Sequence, residues 1–285
     1  MKRLLIVGCG DIAHRIIPLL TPRYQVFALV RRIERFEKLR TLGVMPIIGD
    51  LDDRLSLQRL AGLAEVVLHF APPGTGNVHD QRTRHLLSAL SPPKSLVYIS
   101  TSGVYGDCDG AWVSETRPCF ASTVRAQRRV DAEQQLRHWG RRTGAAVVIL
   151  RVPGIYAAER LPIQRLQQGL PGIVAAEDGY TNHIHADDLA RSVLAALRYG
   201  QAGRVYHVAD DAPQKMGDYF DAVADALGYA RPRRVTRAVA QQCLPSSLLS
   251  FMNESRRLDN QRLKRELKFK LRYPSVQDFL AQYVP

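Results

Sequence analysis

The chain has 285 residues, 46% of them hydrophobic, enough for one large α/β domain with an elaboration or two modest domains sharing a cleft. No apolar stretch reaches the length of a membrane span. The net charge of +13 suits an anionic ligand. The basic residues are spread through 31–40, 125–142, 231–237 and 256–272 at helical spacing, so they read as solvated helix faces rather than a nucleic-acid surface.

The four cysteines, at 9, 108, 119 and 243, have no CxxC spacing and read as reduced thiols. His183 and His185 would need a third ligand from elsewhere to hold a metal, and none is expected. Met1-Lys2-Arg3 runs straight into a short apolar run that reads as a strand rather than a signal peptide, so the expected setting is cytoplasmic.

Over the first two hundred residues, β-branched runs alternate with amphipathic stretches, the pattern of βαβ units. Strands are predicted at Leu4–Val7, Gln25–Val30, Met45–Ile48, Val66–Phe70, Ser95–Ser100 and Val147–Leu150. Helices are predicted at Asp11–Leu20, Ile33–Leu42, Leu55–Leu60, Val78–Leu90 and from about 122 to 142. Beyond Leu150, Pro153, Pro162 and Pro171 break the regularity. Asp187-Asp188-Leu189 then opens a helix that returns to a strand near Arg204–Val208, and the remainder is mostly helical. The expected fold class is α/β: a doubly wound parallel Rossmann sheet with a smaller, mainly helical C-terminal lobe. Residues 1–150 form the dinucleotide-binding domain, completed by about 183–208. Residues 151–182 and 209–285 form a substrate lobe over the carboxyl ends of the strands.

Between the first strand and first helix lies Val7-Gly8-Cys9-Gly10-Asp11-Ile12-Ala13, a G-x-G-x-x-A loop. Gly8 makes the tight turn, Gly10 lets backbone approach a pyrophosphate, and the helix start at Asp11 and Ile12 supplies amides and a partial positive charge. At the end of the second strand, where an NAD site carries a carboxylate for the ribose hydroxyls, stand Arg31 and Arg32. Their forked, permanently charged donors suit a 2'-phosphate, so NADP is expected in preference to NAD. Asp50 and Leu51 end the third strand, where a carboxylate can accept from the adenine amino group. Phe70, Ala71 and Pro72 end the fourth, beside the nicotinamide ribose.

The run Val97-Tyr98-Ile99-Ser100-Thr101-Ser102-Gly103-Val104-Tyr105-Gly106 resembles the S-[ST]-x-x-V-Y-G strand end of the extended short-chain dehydrogenase/reductase family, the NAD(P)-dependent sugar-nucleotide epimerases, dehydratases and reductases. Leu150–Tyr156, Asn182–Ala190 and Asn260–Leu267 are similar to further segments of that family, so the likeness covers essentially the whole chain. It implies Ser100 and Pro153 as cofactor contacts and Thr101 as the active-site hydroxyl. The family also uses Y-x-x-x-K on the helix after the fifth strand. Registered on Asp131-Ala132-Glu133-Gln134, that motif falls on Arg125 and Arg129.

No tyrosine lies between 106 and 155, so no shift restores the motif. Arginine, with a pKa above about 12, cannot exchange a proton at neutral pH. Arg129 can still reach the nicotinamide ribose, and the pair can clamp an acidic group on a substrate. Tyr105 is the first alternative proton donor, followed by Tyr156, Asp107, Cys108 and His183. Two readings follow: an NADP-dependent oxidoreductase or epimerase/dehydratase-like enzyme on a polar anionic metabolite such as a nucleotide sugar, monomeric or homodimeric, and a catalytically silent NADP(H)-binding sensor.

Overall fold

Strand β1 (Lys2–Val7) is wholly buried from Leu4 to Val7, as a strand covered on both faces must be. The computed structural model, which describes residues 1–283, pairs it in parallel with β2 (Tyr24–Val30) on one side and β4 (Val66–His69) on the other. With β3 (Val44–Ile48), β5 (Ser95–Thr101), β6 (Ala146–Val152) and β7 (Val205–His207) it makes a seven-stranded sheet, order β7-β6-β5-β4-β1-β2-β3, parallel throughout. The chain reverses its direction of travel across the sheet between β1 and β4, and ligands of such sheets bind at that switch point.

Helices cover both faces. α1 (Asp11–Leu20), α2 (Phe36–Thr41) and α6 (Ala186–Tyr199) bury apolar stripes against one side, around Ile6, Ile16, Val26 and Val193. α3 (Gln81–Ala89) and α4 (Val124–Thr143) cover the other, with Leu86, Leu136 and Trp139 packed on Leu5, Val67 and Ile149. Between α4 and α6 lies the short α5 (Ile163–Gln167). A separate aromatic core, Tyr156, Tyr219, Phe220, Tyr273 and Phe279, is built by α7 (Met216–Leu227) and the C-terminal segment.

Several predicted helices are shorter or tighter than their apolar spacing implied. Ile33–Arg35 is a 3-10 turn and α2 starts only at Phe36. Arg54–Leu60 is 3-10 throughout, opened by Asp53 accepting from the Leu55 amide at 3.0 Å. Val78 lies outside α3 because Asp80 caps it, its carboxylate accepting from the Arg82 amide at 3.1 Å. α4 is capped by Thr123 and stopped by Gly144 in the left-handed conformation, φ 76°. Four short strand pairs escaped the sequence reading: Gly154–Tyr156 with His183–His185, Tyr180–Thr181 with Gln214–Lys215, Gly172–Ile173 with Arg234–Val235, and Trp112–Val113 with Arg257–Leu258. Runs of two or three residues carry no readable period.

Asp188, fully buried at the start of α6, accepts from the backbone amides of Arg272 and Tyr273 at 2.9 Å and from Arg191 Nη1 at 2.5 Å. It thereby fastens the C-terminal segment to the sheet domain. Asp188→Ala leaves those amides without an acceptor and should cost about 3 kcal/mol in urea unfolding, whereas Arg191→Ala, which leaves both amides on the carboxylate, should cost less, about 1–2 kcal/mol.

His69, His183 and His207 are buried, and desolvation is the main force lowering each to about 3 from the ordinary 6.5. The unfolded chain takes up these protons as the pH falls through 6.5, and the folded chain holds them off until about 3. Stability is therefore complete above the unfolded value and lost toward the folded one, at up to about 1.4 kcal/mol per pH unit for each ring. Urea midpoints should drop steeply between neutral pH and pH 4, and a flat profile would contradict the burial of these rings as neutral bases.

Candidate functional site

The site is assembled from the carboxyl ends of β1 to β5. Val7 carbonyl accepts from the amides of both Phe70 and Ala71, at 2.7 and 2.9 Å, which draws the end of β4 against the glycine loop. Gly8 turns there with φ 96°, and a methyl in place of its hydrogen would stand 2.7 Å from Ala71 Cα. No other residue fits. Gly10 differs: a Cβ there would meet nothing within 4 Å, so it borders open space. As the residue before α1 it offers no side-chain cap, and the first amides of the helix remain available to an anion.

A cleft of about 610 Å³ opens over this loop, within the range of pockets that hold cofactor-sized ligands. Its walls include the predicted Gly8, Gly10, Asp11 and Ile12 from the loop, Arg31 and Arg32 from the end of β2, Asp50 and Leu51 from the end of β3, Phe70, Ala71 and Pro72 from the end of β4, and Arg129 from α4. Arg35, Arg82, Arg160, Cys9, Ile99 and Ile155 line it too and were not predicted. Arg35 had a local signal, standing three residues beyond Arg32. Arg160 had none, because only the folded chain brings it to the loop.

Six arginines line the cleft against the carboxylates of Asp11 and Asp50. Arg35 Nη1 donates to the Cys9 carbonyl at 3.0 Å, tying the end of β2 to the glycine loop. Burial pushes the Cys9 thiol up, against a smaller opposing pull from Arg35. Arg82 grips Asp52 through Nε and Nη2, at 2.8 and 2.6 Å, and holds that carboxyl below its ordinary range. Arg31 and Arg32 are exposed and make no hydrogen bond or ion pair through their side chains among the described residues. Arg129 Nη1 donates to the Ile99 carbonyl at 2.6 Å and the Tyr98 hydroxyl at 2.9 Å, which fixes the guanidinium at the end of β5. Burial raises Tyr98 to about 12.

Other predicted residues lie elsewhere. Ser100 is buried and donates to Glu133 Oε1 at 2.6 Å, and Pro153 is outside the cleft wall, which Ile155 reaches instead. Thr101 is half-buried and caps the following 3-10 turn, its Oγ1 accepting from the Gly103 amide at 3.2 Å. That turn, Ser102–Tyr105, rotates Tyr105 inward. Its hydroxyl sits 2.5 Å from His207 Nε2 and accepts from Arg151 Nη1 at 2.6 Å, while Arg151 is clamped by Glu133 at 2.7 and 3.0 Å. Burial raises Tyr105 well above the ordinary tyrosine range, more than Arg151 lowers it.

Tyr105 therefore does not face the cleft as a proton donor, and it belongs with Ser100 to a buried polar network. The reserve candidates are committed as well. Tyr156 is buried with its hydroxyl donating to the Ser275 carbonyl, and Asp107 accepts from the Ser255 amide. Cys108 is buried, and His183 lies 4.2 Å from Tyr219, ring centre to ring centre. None of the four lines the cleft. Arg125 is outside it too, exposed, with Cζ 4.2 Å over the ring of Phe251 in the helix Ser246–Met252.

The chain resembles proteins of related architecture over nearly its full length. It is 26% identical, over 98% of its own length and 99% of the relative's, to a 3-diazoavenalumate denitrifying reductase from a Streptomyces species. Among solved structures, a conserved protein of unknown function from Silicibacter pomeroyi DSS superposes with a TM-score of 0.79 at 27% identity, covering 99% of this chain and 98% of that one. The dTDP-glucose 4,6-dehydratase of Streptomyces venezuelae, solved with NAD bound, shares the fold at a TM-score of 0.77 and 23% identity, over 98% of this chain and 95% of that one. Residues 5–209 match the model of the NAD dependent epimerase/dehydratase family, and the chain belongs to that family.

Proposed function

We propose that this chain is an NADP(H)-dependent reductase that acts on a polar, anionic metabolite without a tyrosine acid. The observation that carries the reading is the set Arg31, Arg32 and Arg35 at the carboxyl end of β2, beside the open space over Gly10. A carboxylate in their place would accept from ribose hydroxyls and repel a 2'-phosphate, and guanidiniums do the reverse. A nicotinamide dinucleotide bound there supplies hydride chemistry. In this reading Asp50, on the cleft wall, accepts from an adenine amino group, and Arg129, anchored on Tyr98 and Ile99, keeps N–H groups for ribose hydroxyls.

The substrate's negative charge falls to Arg125, which rests on Phe251 without a carboxylate partner among the described residues and lies one helical turn from Arg129. Of the two, only Arg129 lines the cleft, and its fixed charge stabilises an acceptor oxygen that turns negative there. Neither can release a proton at neutral pH, and Tyr105 is held elsewhere by Arg151 and His207. The proton that completes the reduction therefore comes from water. The reductase among the relatives supports reduction over epimerisation. Residues 151–182 and 209–285 supply the lobe that covers the substrate.

A second reading, a silent NADP(H)-binding sensor, is favoured by the same want of an acid at the cleft. The two part on turnover. Steady NADPH oxidation with any member of a panel of anionic carbonyl compounds and nucleotide sugars supports the reductase, and tight binding without consumption across the panel supports the sensor.

Replacing Arg31 and Arg32 with Ala should weaken NADP by about 10- to 100-fold, the worth of one or two charge-assisted hydrogen bonds. NAD should weaken far less, and equal losses in titration calorimetry would refute the 2'-phosphate role. In an active enzyme, kcat/KM should be flat from pH 6 to 9, and Tyr105→Phe should lower the unfolding free energy by about 1–3 kcal/mol while sparing turnover. A basic limb in that range that vanishes in Tyr105→Phe would restore Tyr105 as the acid.

A further inference from the structure

Asp11 opens α1 directly after the glycine loop, where free amides and the helix dipole favour an anion. Both oxygens of its carboxylate are occupied: Oδ1 accepts from Arg15 Nε at 3.0 Å and Oδ2 from Arg160 Nη1 at 2.9 Å. Arg160 ends the 3-10 turn Ala158–Arg160, which follows β6 and the short strand Gly154–Tyr156 in the chain, yet its side chain lines the cleft. The turn is held down by its neighbour, since Glu159 pairs with Arg15, which also donates to Asp187 Oδ1 at 2.5 Å. Arg15 thus serves all three carboxylates, whereas the side chain of Arg160 makes one bond, to Asp11. A guanidinium has five N–H donors. The others on Arg160 have no protein acceptor among the described residues.

We infer that Arg160 is a ligand of the dinucleotide's pyrophosphate, aimed over the glycine loop by Asp11 and by the Arg15–Glu159 anchor of its turn. Charge decides the matter. Asp11, Glu159 and Asp187 stand against Arg15 and Arg160 around the start of α1, so without Arg160 the cluster would turn a less compensated carboxylate toward incoming phosphates. With Arg160 in place, its spare N–H groups and the amides of α1 flank the same open space above Gly10. Arg31, Arg32 and Arg35 line the same cleft from the end of β2, where a 2'-phosphate would separate NADP from NAD. Arg160 addresses a group that the two cofactors share, so it sets affinity and not cofactor choice. The inference rests on reading the cleft as a dinucleotide site.

The test is equilibrium titration of the full chain with NADP, NAD and adenosine 2'-monophosphate, which has no pyrophosphate. Arg160→Ala should weaken NADP and NAD by the same factor, about tenfold or more, leave the 2'-monophosphate unchanged, and keep the wild-type melting temperature, with Arg160→Lys intermediate. Unchanged dinucleotide affinity, or equal losses for all three ligands, would overturn the assignment. Asp11→Asn should cost dinucleotide affinity only while Arg160 is present. Equal losses in the wild-type and Arg160→Ala backgrounds, or none in either, would overturn the positioning role. If the wild-type chain binds neither dinucleotide, the cofactor reading fails and this inference falls with it. NADP binding that is indifferent to Arg160→Ala leaves the cofactor reading intact and removes only the inference.

Discussion

The contact between Gly8 and the backbone of Phe70 and Ala71 governs the geometry of everything above it. Val7 carbonyl takes two amides from the end of β4, and the loop can follow this close approach only because residue 8 lacks a side chain and adopts a positive φ. The chain then enters α1, which packs on the sheet and leaves its first amides at the switch point between β1 and β4. The packing of α1 and α6 on one face, through Ile16, Ile17, Leu189 and Val193, holds that orientation rigidly enough for arginines from four other segments to be arranged around one volume.

Those arginines give the cleft its character. A parallel sheet capped at its carboxyl end attracts anions through helix amides alone, and here fixed guanidiniums add to that field with, among the described residues, the carboxylates of Asp11 and Asp50 against them on the wall. Two of the cations are partly spoken for, Arg82 by Asp52 and Arg160 by Asp11, and in each pair the carboxylate aims the guanidinium. Arg31 and Arg32 are left unpaired among the described residues. A surface arginine without a partner is ordinary, but two at the end of β2 beside a glycine loop are the residues on which the proposed 2'-phosphate contact rests.

The sheet, the glycine loop and the strand-end residues were legible because their signals are local: a buried apolar run, a turn of fixed spacing, a helix start. What was lost depends on contacts distant in sequence or on turns too tight for periodicity. The apolar spacing places Arg35 inside a regular helix, whereas the 3-10 turn Ile33–Arg35 carries it to the glycine loop. Arg160 reaches Asp11 across 149 positions of sequence. Tyr105 shows the converse failure. Its motif was recognisable, but a motif does not say which way a 3-10 turn rotates a ring, and this one rotates it onto His207 and Arg151.

That buried network explains why a V-Y-G turn can stand without the catalytic pair it accompanies elsewhere. Arg151 and Glu133 are both almost fully shielded from water, and removing one partner of such a pair costs about 3–5 kcal/mol because the other charge is then stranded. Tyr105, Ser100 and the Cys119 sulfur occupy further donor and acceptor positions around the pair. Each of these groups is therefore constrained by stability, whatever happens at the cleft. Arg125 and Arg129 lie on the same helix as Glu133 but outside the network, so their side chains can differ from the tyrosine and lysine pattern without disturbing it. The fold keeps its polar core under one constraint and the wall of the cleft under another, so the residues at the cleft can depart from the tyrosine and lysine pattern while the architecture around it does not.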